Sequence, residues 1–256
     1  MHYSIVIPAR LQSSRLPNKM LLPLDRAPVI EWTWRAALKC NAKSVIIATD
    51  DQQIAQHMKP LGAKVIMTSP QHESGTDRIS EVSQICKFSD EEIIVNWQGD
   101  EPFLPPTLIE LVANTLQEKP QAAMSTLATP LTQWEEVYNP NIVKLTHDHE
   151  NLALYFSRAP IPFLRDSMLK EGALPAQHPF LRHIGLYAYR ADFLNRYPAL
   201  QPSALENFEK LEQLRALDNG FKIAVAHTDS MPPNGIDTAE DLEKANAWIR
   251  EHNLTP

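Results

Sequence analysis

The stretch IVIPARLQSSRLPNKMLL, residues 5–22, decides how the rest of the chain is read. It opens with three consecutive β-branched residues, Ile5, Val6 and Ile7, and then Pro8, the pattern of a short strand buried on both faces. Three cations follow at uneven spacing, Arg10, Arg15 and Lys19, on a loop without glycine. Open α/β sheets bind ligands at the carboxyl ends of their strands. Charged side chains at that place suit a polyphosphate. Taken alone, the stretch fits either a solvated basic loop or an anion site.

Outward from this strand the pattern alternates. A helix is predicted over 29–40 behind Pro28, a strand over 45–48, and a helix capped by Asp50 or Asp51 that reaches about 59, with Gly62 after it. A strand over 65–67 completes strand–helix–strand–helix–strand, the order of a parallel sheet with crossover helices. Ser74 is placed to cap a helix over 76–86. A fourth strand, 93–95, runs into Asn96-Trp97-Gln98-Gly99-Asp100-Glu101-Pro102, and a helix over 107–118 precedes a strand near 123–128. Neither GxGxxG nor GxxxxGK[ST] occurs, which excludes the dinucleotide fingerprint and the P-loop.

Beyond Pro130 the order loosens. Strands over 142–145 and 152–156 flank a polar turn as in a hairpin, 160–180 is irregular, and 182–190 alternates as a strand before a helix from Ala191. Ser203 with Glu206 reads as a capping box. It leads a single helix with the stripe Leu205, Phe208, Leu211, Leu214 and Leu217, ending at Gly220. A last strand over 222–226, a turn at 235–238 and a C-terminal helix capped by Thr238 close the chain.

A net charge of -7 argues against a nucleic-acid surface, so the basic loop is a local feature of an acidic protein. The two cysteines, Cys40 and Cys86, lack metal-type spacing and read as small buried hydrophobes in a reducing compartment. No apolar run approaches the roughly 18 residues of a membrane span. With no leader ahead of the first strand, a cytoplasmic protein without membrane partners is expected.

Asp100 follows a wholly apolar strand, with Gly99 before it, and Asp237 follows the last strand, with Gly235 two residues earlier. Each alone could merely cap a turn. As a pair beside the basic loop they match a magnesium site made of one or two carboxylates plus substrate phosphates. His147, Asp148, His149 and Glu150 superficially resemble a metal cluster but sit in a polar turn, and are read as solvated. Ser74-Gly75-Thr76-Asp77-Arg78 opens a helix whose free amides suit an anion or a ribose hydroxyl. Arg78 opposes the helix dipole there, which an anionic ligand would explain. Arg158, Arg165, Arg182 and His183 flank the irregular segment and fit either a second anionic substrate or surface cations. Tyr187 and Tyr189 fit packing or binding equally, and Glu212 lies beside the apolar stripe of a helix read as well buried.

These residues also spell a family pattern. IPARLQSSRLPNKML, ATDDQQI, MTSPQHESGTDRISEV, VNWQGDEPFLPP, ALYFSRAPIPF, RHIGLYAYR, LEQLRAL and GIDTAEDL occur in order from residue 5 to about 242. Together they resemble the 3-deoxy-manno-octulosonate (Kdo) cytidylyltransferases, the CMP-Kdo synthetases. The resemblance implies a three-layer αβα fold of the Rossmann-like nucleotide-diphospho-sugar-transferase type, with a mixed, mostly parallel central sheet. The whole chain, 1–256, would be a single nucleotidyltransferase domain, with a nucleotide-binding part over about 1–130, a smaller α+β sugar-binding and dimerisation part over about 131–230, and a metal-binding turn with the C-terminal helix over 231–256.

It also implies Mg2+-dependent transfer of a cytidylyl group from CTP to Kdo, for lipopolysaccharide synthesis. By similarity, Arg10, Arg15 and Lys19 grip the triphosphate. Ser13 and the backbone of Pro8 and Ala9 lie near base and phosphates, Ser74, Gly75, Thr76 and Asp77 contact the nucleoside, and Asp100 and Asp237 hold magnesium. Gln98, Arg78, Arg158, His183, Tyr187, Glu212 and Gln213 would form the sugar-acid pocket, with Gln98 also near the nucleotide. Residues 158–197 would supply a homodimer contact. The chain departs from the family pattern at Asn18-Lys19-Met20, where glycine followed by proline is usual around the lysine; asparagine is the next best residue for a positive φ. The same chemistry on 8-amino-Kdo or another 2-keto sugar acid, or a catalytically silent nucleotide-sugar binder, are the alternatives at this point.

Overall fold

The computed structural model describes residues 3–11, 15–72, 74–166 and 173–256. Strand β1 (Tyr3–Ala9) is buried along its whole length, as its β-branched run requires. Asn18 follows with φ 58°, and Lys19–Leu21 form a single 3-10 turn. The short ribbon β2 (Pro23–Leu24) and β3 (Ala27–Pro28) leads into helix α1 (Val29–Ala37). Next come β4 (Ser44–Thr49), α2 (Gln52–Met58) and β5 (Lys64–Met67). Asp51 caps α2 by accepting from the amides of Gln53 and Ile54, and Gly62 takes the left-handed backbone after it. Helix α3 (Gly75–Cys86) begins at Ser74, whose side chain accepts from the Asp77 amide. Strand β6 (Ile93–Asn96), helix α4 (Pro106–Glu118) and strand β7 (Met124–Pro130) follow.

The later elements are α5 (Trp134–Tyr138), β8 (Lys144–His147), β9 (Ala153–Ser157), β10 (Leu181–Arg190), α6 (Ala191–Arg196), α7 (Ala204–Glu209), α8 (Gln213–Asp218), β11 (Ile223–His227) and α9 (Ala239–His252). Helix α5 was not expected from the sequence. The hairpin strands β8 and β9 start one or two residues later than their apolar runs suggest. The predicted helix under the leucine stripe is in fact two. Lys210 adopts φ 55° and ends α7, and α8 starts afresh at Gln213. Leu205 and Phe208 are consequently exposed, Phe208 at 85%, so the stripe does not form one buried face. Ser203 accepts from the Glu206 amide, but the Glu206 carboxylate binds Arg215 and does not close a capping box. Cys40 and Cys86 are half-buried free thiols, more accessible than the core positions expected.

Two compact units result, both discontinuous in sequence. The first comprises Met1–Ala113, Tyr189–Pro198 and Pro232–Pro256, and the second Asn114–Ala188 and Ala199–Met231. The C-terminal segment from Pro232 belongs to the first unit. In the first unit, β6, β1, β4 and β5 lie side by side in parallel, with Ile5 opposite Val95 and Val45, and Ala48 opposite Ile66. All the carboxyl ends therefore lie at one edge. In the second unit β7 and β11 are parallel, while β8 pairs antiparallel with β9 and β10. The sheet as a type is mixed and mostly parallel, with helices between its strands.

Candidate active site

Parallel pairing puts the end of β1, which leads to the basic loop, beside the end of β6, which leads to Asp100. Gly99 makes the close approach possible: a Cβ there would stand 3.0 Å from the Pro8 carbonyl oxygen and 3.1 Å from the Met20 side chain. The Gly99 carbonyl accepts from the buried Thr33 hydroxyl of α1 at 2.8 Å, which fixes the loop from below. Gly75 packs nearby, its Cβ position 3.7 Å from Pro8 and 3.9 Å from the Gln98 amide nitrogen. The predicted nucleoside turn and the first-strand loop thus meet.

Asp237 arrives from the other end of the chain. Its position is set by the capping box of α9, in which Thr238 accepts from the Asp241 amide and the Asp241 carboxylate accepts from the amides of Thr238 and Asp237. One residue earlier, the Ile236 amide donates to the Asp100 carbonyl at 2.8 Å. The two aspartates, 137 positions apart in a 256-residue chain, are thereby tied by backbone.

Lys19 joins them. Its ammonium donates to Asp100 Oδ2 at 2.5 Å and to Asp237 Oδ1 at 2.9 Å, and the residue is only 7% exposed. Burial works against the charge, but the negative charge and hydrogen bond of Asp100, followed by those of Asp237, outweigh it and raise the Lys19 pKa. Lys19 therefore remains an ammonium at neutral pH. Arg15, itself exposed, reaches Asp237 Oδ2 at 2.9 Å, and Arg10 is exposed at the end of β1. Glu101, which the sequence offered only as a loop residue, has its pKa pushed up to about 8, by burial first and then by the charges of Asp100 and Asp237. It is largely neutral at pH 7.

Arg78 does not match its sequence reading. It is 3% exposed, and its guanidinium donates to Thr68 Oγ1 at 2.5 Å and Asp50 Oδ2 at 3.1 Å. Asp50 follows β4 and Thr68 follows β5, so Arg78 braces two strand-end loops, and the cation in the first turn of α3 has its counter-charge within the protein. Asp77 is engaged by the Ser74 hydroxyl at 2.8 Å. Gln98 lies half-buried, its amide donating to Asn96 at 3.3 Å. Ser13 falls outside the described residues.

The second unit holds the other predicted residues. Arg158 is clasped by backbone: Nε donates to the Glu209 carbonyl at 2.6 Å and a terminal nitrogen to the Pro140 carbonyl at 2.9 Å, while its amide donates to the Glu209 carboxylate. His183 lies between the rings of Phe156 and Tyr187, with Nε2 at 3.0 Å from the Thr126 hydroxyl. Burial pushes its pKa down to about 3, so it is neutral. Glu212 is exposed, contrary to expectation, because the break at Lys210 places it at the start of α8. Gln213 next to it is buried, and among the described residues its Nε2 meets no hydrogen-bond acceptor. Arg182 lies 4.0 Å from Glu136. Lys144 was missed entirely. It is fully buried, with Nζ donating to the carbonyls of Asn139 at 2.9 Å, Ile142 at 2.6 Å and Arg158 at 2.6 Å. No sequence signal marks it, since a lysine beside Val143 and Leu145 reads as a strand's solvent face.

The chain is similar to known proteins over nearly its whole length. The cytidylyltransferase family model matches residues 4–223. The 3-deoxy-manno-octulosonate cytidylyltransferase of Vibrio vulnificus (strain CMCP6) is 50% identical over 249 residues, covering 97% of this chain and 98% of that protein. Its counterpart from Aliivibrio fischeri (strain MJ11) is 51% identical over 249 residues, covering 97% and 99%. A solved structure of CMP:2-keto-3-deoxy-manno-octonic acid synthetase complexed with CTP superposes with a TM-score of 0.87 at 37% identity, covering 98% of this chain and 99% of that one. The chain belongs to the cytidylyltransferase family, with the 3-deoxy-manno-octulosonate cytidylyltransferases as its kin.

Proposed function

We propose that this protein transfers the cytidylyl group of CTP to the anomeric hydroxyl of Kdo, forming CMP-Kdo and pyrophosphate in the cytoplasm. The observation that carries the proposal is the meeting of Lys19 with Asp100 and Asp237 at the strand ends, in a chain half identical to Kdo cytidylyltransferases over nearly its full length. The anomeric hydroxyl oxygen bonds to the α-phosphorus and gives up its proton to solvent as the bond to the bridging oxygen breaks, and pyrophosphate carries away the electron pair. No covalent nucleophile is needed, so catalysis is positioning and charge neutralisation.

Lys19, kept protonated by its carboxylate partners, Arg15 and Arg10 are suited to hold the triphosphate. Pro8, Ala9, Ser13, the Ser74–Asp77 turn and Gln98 are suited to the nucleoside. Arg78 acts through the loops it braces. Mg2+ fits the site: two hard carboxylate oxygens converge on a single cationic group, Lys19 Nζ. Among the described residues no group of three histidine, cysteine, aspartate or glutamate side chains forms a cage, so phosphate oxygens and water would complete the shell. When bound, the ion would neutralise charge on the phosphates.

Arg158, His183, Tyr187, Glu212 and Gln213 are suited to the sugar acid. The unpartnered amide of Gln213 is the clearest support, because a buried donor calls for an acceptor that a ligand would bring. We further propose a homodimer formed through residues 158–197, where Phe163 is exposed. Sedimentation equilibrium would show two chains; a monomer at assay concentration rejects this. Among the described residues no helix is long and apolar enough to cross a membrane. The decisive assay is pyrophosphate release from CTP and Mg2+ with Kdo, against 8-amino-Kdo and a sialic acid. Release is expected with Kdo at the highest kcat/KM, and no release from folded protein rejects the proposal.

A further inference from the structure

His147 ends β8 and His227 ends β11, in the second unit, and neither has a part in the transfer reaction. Their Nε2 atoms stand 3.1 Å apart, with ring centroids 4.9 Å apart and ring planes at 78°. His147 Nδ1 lies 2.7 Å from the Asp148 carbonyl, which can only accept. That nitrogen therefore carries the proton, and Nε2 presents its lone pair toward His227. An imidazole anchored through its far nitrogen to a backbone carbonyl is the usual support of a metal-binding histidine.

The distances bear on what the pair can hold. Two imidazole nitrogens at about 2.0–2.1 Å from one cation, subtending about 100°, lie roughly 3.1–3.3 Å apart with centroids near 5 Å. The observed separations agree with both values; the two nitrogens share a bent hydrogen bond, donated by His227 Nε2 to His147 Nε2, which a cation would replace on displacing that proton. Asp148 Oδ1 accepts from the amides of Glu150 and Leu152 at 2.9 Å each, which holds that carboxylate to its own turn, and His227 is exposed, so water can fill the remaining positions.

We propose that His147 and His227 form a two-histidine site for a borderline divalent transition cation of the Zn2+ or Ni2+ class, chemically separate from the oxygen donors of Asp100 and Asp237. Imidazole favours such ions over Mg2+. By joining the ends of β8 and β11, the ion would stabilise the second unit by mass action.

The test is calorimetric titration of untagged protein with NiCl2, and separately with MgCl2, on wild type, His227→Gln and His147→Gln, alongside Cu2+ electron paramagnetic resonance to count nitrogen ligands. One Ni2+ per chain is expected, with two-nitrogen coupling in the Cu2+ spectrum, a raised melting temperature, and affinity weakened roughly tenfold or more in each variant. Mg2+ should not compete. No saturable Ni2+ uptake up to millimolar concentration overturns the proposal, as does wild-type affinity in His227→Gln. Should His147→Gln fail to fold, His227→Gln decides alone, because that side chain is exposed at a strand end.

Discussion

Lys19 and Lys144 are both buried lysines, one in each compact unit, and their surroundings are opposite. Lys19 is met by two carboxylates, Lys144 by three backbone carbonyls. Full counter-charges raise the pKa of Lys19 against the effect of burial. For Lys144 burial dominates and lowers the pKa, the attraction of Glu209 being the smaller effect. A charge matched by other charges can be redistributed when an anionic substrate arrives. A charge solvated by fixed carbonyls cannot, because those dipoles belong to the turns they hold. The first arrangement serves binding and the second serves architecture.

The comparison breaks most sharply under substitution of the first cluster. Asp100→Asn or Lys19→Met should lower kcat by roughly 10²–10³-fold, the usual size for losing one preorganised electrostatic group. The urea midpoint should shift little for Asp100→Asn, because the Asp237 carboxylate still meets the Lys19 ammonium, and more for Lys19→Met, which takes the buried counter-charge from two carboxylates. Near-normal kcat in both variants would remove Lys19 and Asp100 from the chemistry. Lys144→Met should do the reverse. Three buried carbonyls lose their donor, at about 1–3 kcal/mol for each group left unsatisfied, and relaxation leaves a net loss of roughly 3 kcal/mol. Denaturant unfolding reads this directly, while KM for CTP should not move in the folded variant. A loss below about 1 kcal/mol would mean that the carbonyl cradle is not holding the turns.

That contrast also explains what the sequence disclosed. The first unit was readable almost element by element, because β-branched runs, Asp51, Ser74 and the Thr238–Asp241 box act locally. Asp100 and Asp237 stood out for the same reason, each directly after a strand. What could not be read were long-range partners: Asp50 for Arg78, Glu209 for Arg158, and the carbonyls around Lys144. Burying a cation depends on where distant backbone turns, and no spacing rule encodes that. The leucine stripe misled because periodicity does not register a single left-handed residue, Lys210.

The second unit should also show a pH response. The folded His183 pKa, about 3, lies below the ordinary value of 6.5, so the unfolded chain takes up the proton first. The contribution of neutral His183 to stability is complete above pH 6.5 and is lost as pH falls from there toward 3. Urea midpoints between pH 7 and pH 4 should therefore fall more steeply for wild type than for His183→Gln. Parallel curves would show that the ring accepts a proton without unfolding.

The smallest effect expected is at Asn18, next to the lysine that distinguishes the first unit. Its φ of 58° lies in the left-handed region, and its carbonyl accepts the Leu21 amide at 2.9 Å, which starts the turn carrying Lys19 toward the two aspartates. Asparagine tolerates this backbone better than most residues, and glycine tolerates it freely. Asn18→Gly should thus leave stability within a few tenths of a kcal/mol, because relief of strain offsets the added freedom of the unfolded chain. Asn18→Ala keeps a Cβ without the local polar group and should cost about 1 kcal/mol. If positive φ is what aims Lys19, the alanine variant should also raise KM for CTP while the glycine variant does not. Equal KM in the two would show that Lys19 is aimed by its carboxylate partners alone.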